Sequence, residues 1–288
     1  MVLTSLVFAG ASIKGLCYAG CVKALEEVNI VENIENYAGT SSGSIVASMC
    51  ALGYTSGEMV DEIINTDFGD FLQVSIGTFF TGYGIDSGEK LKVWLKSRIK
   101  DKTGNELYTF KNLWDDKKKN LVIVTTNVNT HTPLYLSHSS YPDMPIADAI
   151  RMSLSIPLVF QSIFFEEQYF VDGGVTDNFP LGIFEPKNTL GIYALTPKED
   201  SKHPFWSINT VEDYIYNIIF CMLDQITRLT NTINYDIINI SVDDVSDLDF
   251  KMTKEKKHLI INKGYDTTLA YFRDKNPSTP SSRDLTNH

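Results

Sequence analysis

The chain is 288 residues long, 43% hydrophobic and 21% charged, an ordinary globular composition that excludes a disordered protein. At roughly 150 residues per domain it has room for one large domain or two small ones. Its 36 acidic against 25 basic residues give a formal charge of −11, which argues against nucleic acid as a partner and against a polybasic membrane anchor.

Leu3 to Phe8 is a short apolar run that ends in Ala9-Gly10-Ala11-Ser12, and it reads as a buried strand entering a tight turn. Gly15 to Val28 has helical spacing, with Glu26 and Glu27 on the wet face. Asn36 to Thr40 reads as a second strand, meeting Ser41-Ser42-Gly43-Ser44 before a helix of small apolar residues from Ile45 to Leu52. Strand, turn and helix twice in succession predict an α/β fold with a parallel sheet. Residues 55–120 scatter Phe68, Phe71, Phe79, Phe80 and Tyr83 among glycines. That mixture suggests loops carrying apolar surface, a candidate lid, although a packed subdomain would have the same composition.

A helix is predicted over Leu91 to Ile99, a core strand over Leu121 to Asn127, and a helix over Ala147 to Ser153 that stops before Pro157. Phe164 to Val171 reads as one strand ending at Asp172-Gly173-Gly174, and Leu190 to Leu195 as another. Val211 to Ile233 is the longest amphipathic pattern, with an apolar stripe through Ile218, Met222 and Ile226 suited to packing on the sheet. Asn276 to His288, rich in Pro, Ser and Thr, reads as a disordered tail. With no repeat and no linker, a single domain is expected over residues 1–275.

The four cysteines form no CxxC pair, and Cys17 and Cys21 sit in an apolar helical stretch that suggests core packing rather than metal or disulfide. The N-terminus lacks a basic start and a long apolar run, and no window has the roughly 18 consecutive apolar residues of a membrane span. A cytoplasmic protein is expected.

Three motifs carry candidate chemistry. Gly10-Ala11-Ser12-Ile13-Lys14-Gly15 follows a strand and opens a helix, where small residues and free N–H groups suit a nearby anion. A dinucleotide loop would need glycine at Ser12 and an acidic residue after the second strand, so nucleotide binding is a poor fit; an ordinary turn remains open. Gly39-Thr40-Ser41-Ser42-Gly43 is G-x-S-x-G between a strand and a helix, the setting of a strained turn that exposes a nucleophilic Ser. Such a Ser needs a base. His258 is the only late His that a Ser-acid-His order would allow, yet Ser41 comes after only two strands, too early for that fold. Asp172, closing a strand before Gly173 and Gly174, could take the proton directly if burial raises its pKa; a turn-forming Asp-Gly is the alternative.

Together these motifs resemble the patatin-like phospholipase family in order and spacing. Further similarity lies in Asp148 to Pro157 and in Val175-Thr176-Asp177-Asn178-Phe179-Pro180. The resemblance spans about residues 3 to 195. It implies a three-layer α/β/α fold with a central, mostly parallel sheet, and a Ser–Asp dyad without His that hydrolyses acyl esters of lipids. By this resemblance Ser41 is the nucleophile and Asp172 the base. The amides of Gly10, Ala11 and Ser12 form the oxyanion hole, and Lys14, Gly15, Gly39, Gly43, Gly173 and Gly174 support the motifs. The family's first loop usually carries three glycines, so Ala11 and Ser12 depart from it, and Lys14 stands where Arg is commoner.

The expected activity is that of a calcium-independent phospholipase A with no cofactor and no metal. It would act on phospholipid or another acyl lipid at a membrane or micelle surface, by peripheral association. The rival is a lipid-binding or storage protein on the same scaffold, with the Ala11-Ser12 pair as its main support. Lys117-Lys118-Lys119 and Lys254, Lys256 and Lys257 are read as solvated basic loops within the acidic total.

Overall fold

A computed structural model of the chain describes residues 2–71, 73, 82–195, 214, 217–219, 221–222, 225–227, 234–243, 245 and 249–275. Phe79, Phe80, most of the 211–233 stretch and the 276–288 tail lie outside these residues. The described parts of that stretch, including Ile218, Met222 and Ile226, are helical.

The first strand, β1 (Ser5–Phe8), leads through a 3-10 turn (Ser12–Leu16) into α1 (Cys17–Glu27). β2 (Asn36–Thr40) leads directly into α2 (Ser42–Leu52). α3 (Ser56–Asn65) follows, opened by a capping box in which Thr55 and Glu58 satisfy each other's backbone amides. Then come β3 (Gly84–Asp86), α4 (Glu89–Thr103), α5 (Phe110–Lys117), β4 (Asn120–Asn127), β5 (Thr132–Leu136) and α6 (Ile146–Ser153). β6 (Leu158–Phe160), β7 (Ile163–Phe165), β8 (Gln168–Asp172), β9 (Thr189–Leu195), β10 (Asp236–Ser241) and α7 (Lys254–Lys275) complete the order.

The protein is therefore α/β, as the alternation of elements predicts. β10, β9, β1, β2 and β4 run parallel in that spatial order. β5 and β8 join β4 antiparallel, and β7 pairs with β8. The strands β1, β2 and β4 are buried almost throughout. Leu6, Phe8, Leu121 and Ile123 face the larger core with the helices. Val7, Ala38 and Val122 face a smaller one closed by Phe179 and Leu181.

Three expectations are corrected. Phe164 to Val171 is a hairpin, because Glu166 and Glu167 adopt left-handed φ of 48° and 62° and reverse the chain. The 55–120 stretch holds α4, which contains the helix predicted over Leu91 to Ile99, and also α3 and α5, whose polar faces mask their helical spacing. The 22-residue α7 is the longest described helix, and its first turn carries Lys254, Lys256 and Lys257. Those lysines are not solvated loops. Lys257 is 4% exposed and donates to the carbonyls of Ile63 and Thr66 at the end of α3, while Lys256 pairs with Asp249.

α7 packs on α1 at backbone contact. A Cβ on Gly264 would overlap the Cys17 carbonyl, and one on Gly20 would overlap the Ile261 carbonyl. Cys17 and Cys21 lie in this interface, buried and free. Neither overlap can be relieved by rotating a side chain. Gly264→Ala is expected to destabilise the protein by about 1–3 kcal/mol, seen as a lower Tm with activity per folded molecule retained.

Candidate active site

Strand register brings the predicted residues together. β2 and β5 both pair with Ile123 and Val124 of β4, so they lie on opposite edges of it. β8 and β5 both pair with Thr125 to Asn127, so they too lie on opposite edges. β2 and β8 therefore share one edge of β4, end to end. Thr40 faces Val124 and Asp172 faces Thr125, the next residue. Ser41, directly after Thr40, meets Asp172 across this junction.

Ser41 has φ 52° and ψ −127°, a conformation that costs a non-glycine residue about 1–3 kcal/mol. Its surroundings impose it. The Ser41 amide donates to Ser153 Oγ at 2.8 Å, and its carbonyl accepts from Ser44 Oγ at 2.6 Å. Gly39 and Gly43 are required by space: a Cβ on Gly39 would overlap the Gly43 carbonyl, and one on Gly43 the carbonyls of Phe8 and Ala9. Helix α2 begins immediately behind Ser41, so its positive end faces the site.

Asp172 is 1% exposed. Its Oδ1 accepts from the Gly174 amide at 2.7 Å, while Oδ2 is buried without a hydrogen bond of ordinary geometry among the described residues. Burial pushes the carboxyl up to about 6, and the neighbouring Ser41 hydroxyl and Gly174 amide hold it from going higher. Its backbone is held on both sides, by the amide donating to the Ser155 carbonyl and by Thr126 Oγ1 donating to the Asp172 carbonyl, each at 2.8 Å. Gly173 is bare because a Cβ would overlap the Val124 carbonyl.

The Gly10 loop differs from expectation. Ser12 takes the left-handed φ of 49°, whereas Ala11 sits at −148° and needs no glycine. Gly10 is required by space, since a Cβ would overlap Asn178 Oδ1 and come within 3.3 Å of Ser41 Cβ. The Gly10 amide donates to the Asn178 carbonyl at 3.0 Å, and Asn178 Nδ2 donates back to the Gly10 carbonyl at 3.0 Å. Gly10 is thus clamped to Asn178, and its amide does not point at the site as expected. The Ala11 amide donates to Ser42 Oγ at 3.1 Å. Gly15 gives that hydroxyl room, because a Cβ there would lie 2.7 Å from it. Lys14 is 5% exposed, so its place is inside the protein.

Ser12, Ser41 and Ser42 line a cavity of about 110 Å³ whose other walls are apolar, among them Leu16, Val46, Met59, Leu91, Ile156 and Phe160. Phe68, Phe71, Trp94 and Phe250 line it too, so the first part of the aromatic segment is cavity wall. Tyr83, by contrast, is 59% exposed and stacks edge-on against Tyr169. Among the described residues Glu62 is the one charged residue of the lining, and its carboxylate is occupied by Trp94 Nε1 and Arg98. Among the described residues no His lines the cavity: His138 stacks on Trp114, and His258 is exposed on α7.

Four supporting residues have no role assigned from the sequence: Ser42, Ser153, Ser155 and Asn178. Three of them lie in stretches noted for their similarity, but their partners are distant or on the backbone. The bonds joining Ser153 to Ser41 and Asn178 to Gly10 cross 112 and 168 positions.

The family model for patatin-like phospholipases matches residues 6–185. An uncharacterized protein, R571, of Acanthamoeba polyphaga mimivirus is 28% identical over 275 residues, 91% of each chain. A protein named probable lipid hydrolase 463L of Invertebrate iridescent virus 6 is 26% identical over 62% of each chain. Among solved structures, VipD from Legionella pneumophila superposes with a TM-score of 0.61 at 18% identity, over 95% of this chain and 67% of that one, a likeness of fold.

The raised pKa of Asp172 has a stability consequence. The folded state binds the proton more tightly than the unfolded state, whose carboxyl titrates near about 3.9. The stabilisation is complete below about pH 4 and is lost as pH rises through about 6. Asp172→Asn, neutral throughout, is expected to melt above wild type at pH 8, with the advantage vanishing towards pH 4.

Proposed function

The chain belongs to the patatin-like phospholipase family, and from that premise we propose that it is a serine-dependent lipid acyl hydrolase of the phospholipase A type. The observation that carries this reading is the strained Ser41 beside a buried carboxylate at the wall of an apolar cavity. Family membership and the viral relative named a probable lipid hydrolase support lipid hydrolysis as the broader activity. No helix among the described residues is long and apolar enough to cross a membrane. The proposed enzyme works as a peripheral protein at a membrane or micelle surface, with residues 1–275 as its single catalytic domain.

In the proposed reaction the acyl chain of a phospholipid occupies the apolar cavity, which brings its ester carbonyl to Ser41. Each buried methylene contributes about 0.8 kcal/mol to this positioning. Asp172, through the open Oδ2, takes the Ser41 hydroxyl proton as Oγ bonds to the carbonyl carbon. The bond to the leaving alcohol breaks, and that alcohol receives the proton from Asp172. Water then gives its proton to Asp172 and attacks the acyl-enzyme. The Oγ–carbon bond breaks, Ser41 recovers the proton, and a fatty acid leaves. Beside the Ser41 hydroxyl, Oδ2 has no donor among the described residues, which suits this cycle, since an oxygen committed to another protein donor would be a poorer base. A lipid-binding protein without catalysis would use the same cavity but would have no use for the strain at Ser41.

Ser41→Ala is expected to lose at least about a thousandfold in kcat on a mixed phospholipid panel while folding normally. A fluorophosphonate should label the wild-type protein once, at Ser41. Full hydrolysis by the variant, or no labelling of the wild type, would overturn the reading. The base must be ionised, so kcat/KM is expected to rise with pH through about 6 and then level off.

A further inference from the structure

We infer that the Ser42 hydroxyl is itself a donor of the oxyanion hole, relaying the Ala11 amide to the developing negative charge. This inference rests on the hydrolase reading of the same site. The loop expected to supply three backbone amides does not present all of them. That of Gly10 is held by the Asn178 carbonyl at 3.0 Å, and that of Ala11 ends on Ser42 Oγ at 3.1 Å.

The second contact has a direction. In it the hydroxyl is the acceptor, which leaves its own O–H to donate elsewhere. Among the described residues nothing accepts from it. Ser42 lines the same cavity as Ser41 and Ser12, and the other walls offer almost no acceptor: Glu62, the charged lining residue, is occupied by Trp94 and Arg98. A partly buried hydroxyl proton with no protein acceptor, next to the nucleophile at the wall of an apolar cavity, is free to donate to an acceptor that arrives there. A tetrahedral oxyanion formed at Ser41 is such an acceptor.

The chain from Ala11 N–H through Ser42 Oγ–H to the oxyanion would polarise along its length, so the hydroxyl would donate more strongly than an isolated one. Two features fix it in place. Gly15 leaves room for the side chain, since a Cβ there would lie 2.7 Å from Ser42 Oγ. Gly10, adjacent to Ala11, passes so close to Ser41 that its own Cβ would lie 3.3 Å from Ser41 Cβ. The Ala11-Ser42 bond is thus part of the wall that faces the reacting carbon.

The test uses Ser42→Ala in the full chain, with Ser42→Thr to restore the hydroxyl. The relay predicts that Ser42→Ala lowers kcat by about a hundredfold with little change in KM. A long-chain trifluoromethyl ketone, which forms an oxyanion on Ser41, should lose affinity by a similar factor. A ground-state alkyl amide of the same chain length should bind as before, and Ser42→Thr should recover part of the loss. A merely structural Ser42 would lower the Tm and leave the ratio of ketone to amide affinity unchanged, which overturns the inference. A rise in kcat would overturn it too, because Ser42 would then be occupying an amide that the oxyanion needs. If the wild-type protein neither hydrolyses lipid nor takes the phosphonate, the hydrolase reading fails first and the relay with it. Labelling of the wild type with unchanged kcat in Ser42→Ala removes the relay alone.

Discussion

Two strands share one edge of β4, and the site depends on that. β2 stops at Thr40 opposite Val124, and β8 arrives from the other direction to stop at Asp172 opposite Thr125. Nothing separates them but the turn that each strand makes as it leaves the sheet. One turn carries Ser41 and the other carries Gly173 and Gly174. Residues 131 positions apart are therefore placed by backbone ladders rather than by loops, which is how a site is held to a fraction of an ångström. Thr125 and Thr126 reinforce the junction by donating to the carbonyls of Val171 and Asp172.

That junction is also where the protein stores unfavourable energy. Ser41 holds a left-handed φ without being glycine, and Asp172 holds a carboxyl where water cannot solvate its charge. Each is unstable alone and is maintained by neighbours that cannot yield. Ser153 and Ser44 tie down the Ser41 backbone, and the Ser155 carbonyl and Thr126 tie down that of Asp172. Arg151 extends the support. Its buried guanidinium donates to Ser155 Oγ at 2.7 Å and lies over the Phe160 ring of β6, and the Ser155 carbonyl in turn accepts from the Asp172 amide.

How much of this was legible in the sequence depends on how local each signal is. β1, β2, β4 and the helices beside them were readable because a buried parallel strand is an apolar run and its turn is rich in Gly and Ser. The strained turn at Ser41 was readable from its flanking glycines together with the strand before it and the helix after it. The β7–β8 hairpin was not, because its turn uses Glu166-Glu167 at two left-handed positions where Asn-Gly would have announced it. α7 was missed because its apolar positions are widely spaced among lysines, and one of those lysines, Lys257, is buried against the end of α3. The clamp between Asn178 and Gly10 could not be read at all, since a side-chain amide says nothing of a partner 168 positions away.

The glycine loop shows the same limit from another side. Three glycines would suggest a need for positive φ, and Ala11 and Ser12 then look like defects. Only Ser12 takes a left-handed φ, at 49°, a value that serine tolerates at modest cost. Gly10 is glycine for a different reason, the approach of Asn178 and Ser41, and Gly15 for a third, the room occupied by Ser42. Space, not dihedral freedom, governs two of these positions, so an alanine at residue 11 is compatible with an intact loop. By the same logic the net charge of −11 says little about the site. Among the described residues the cavity wall is apolar apart from its serines and a Glu62 already paired with Arg98, and the lysines in the first turn of α7 are committed to α3 and Asp249. Ser41 and Ser42 meet the N-terminal end of α2 at this wall, so the polar groups described in the cavity gather at the one place where the strained turn leaves the sheet.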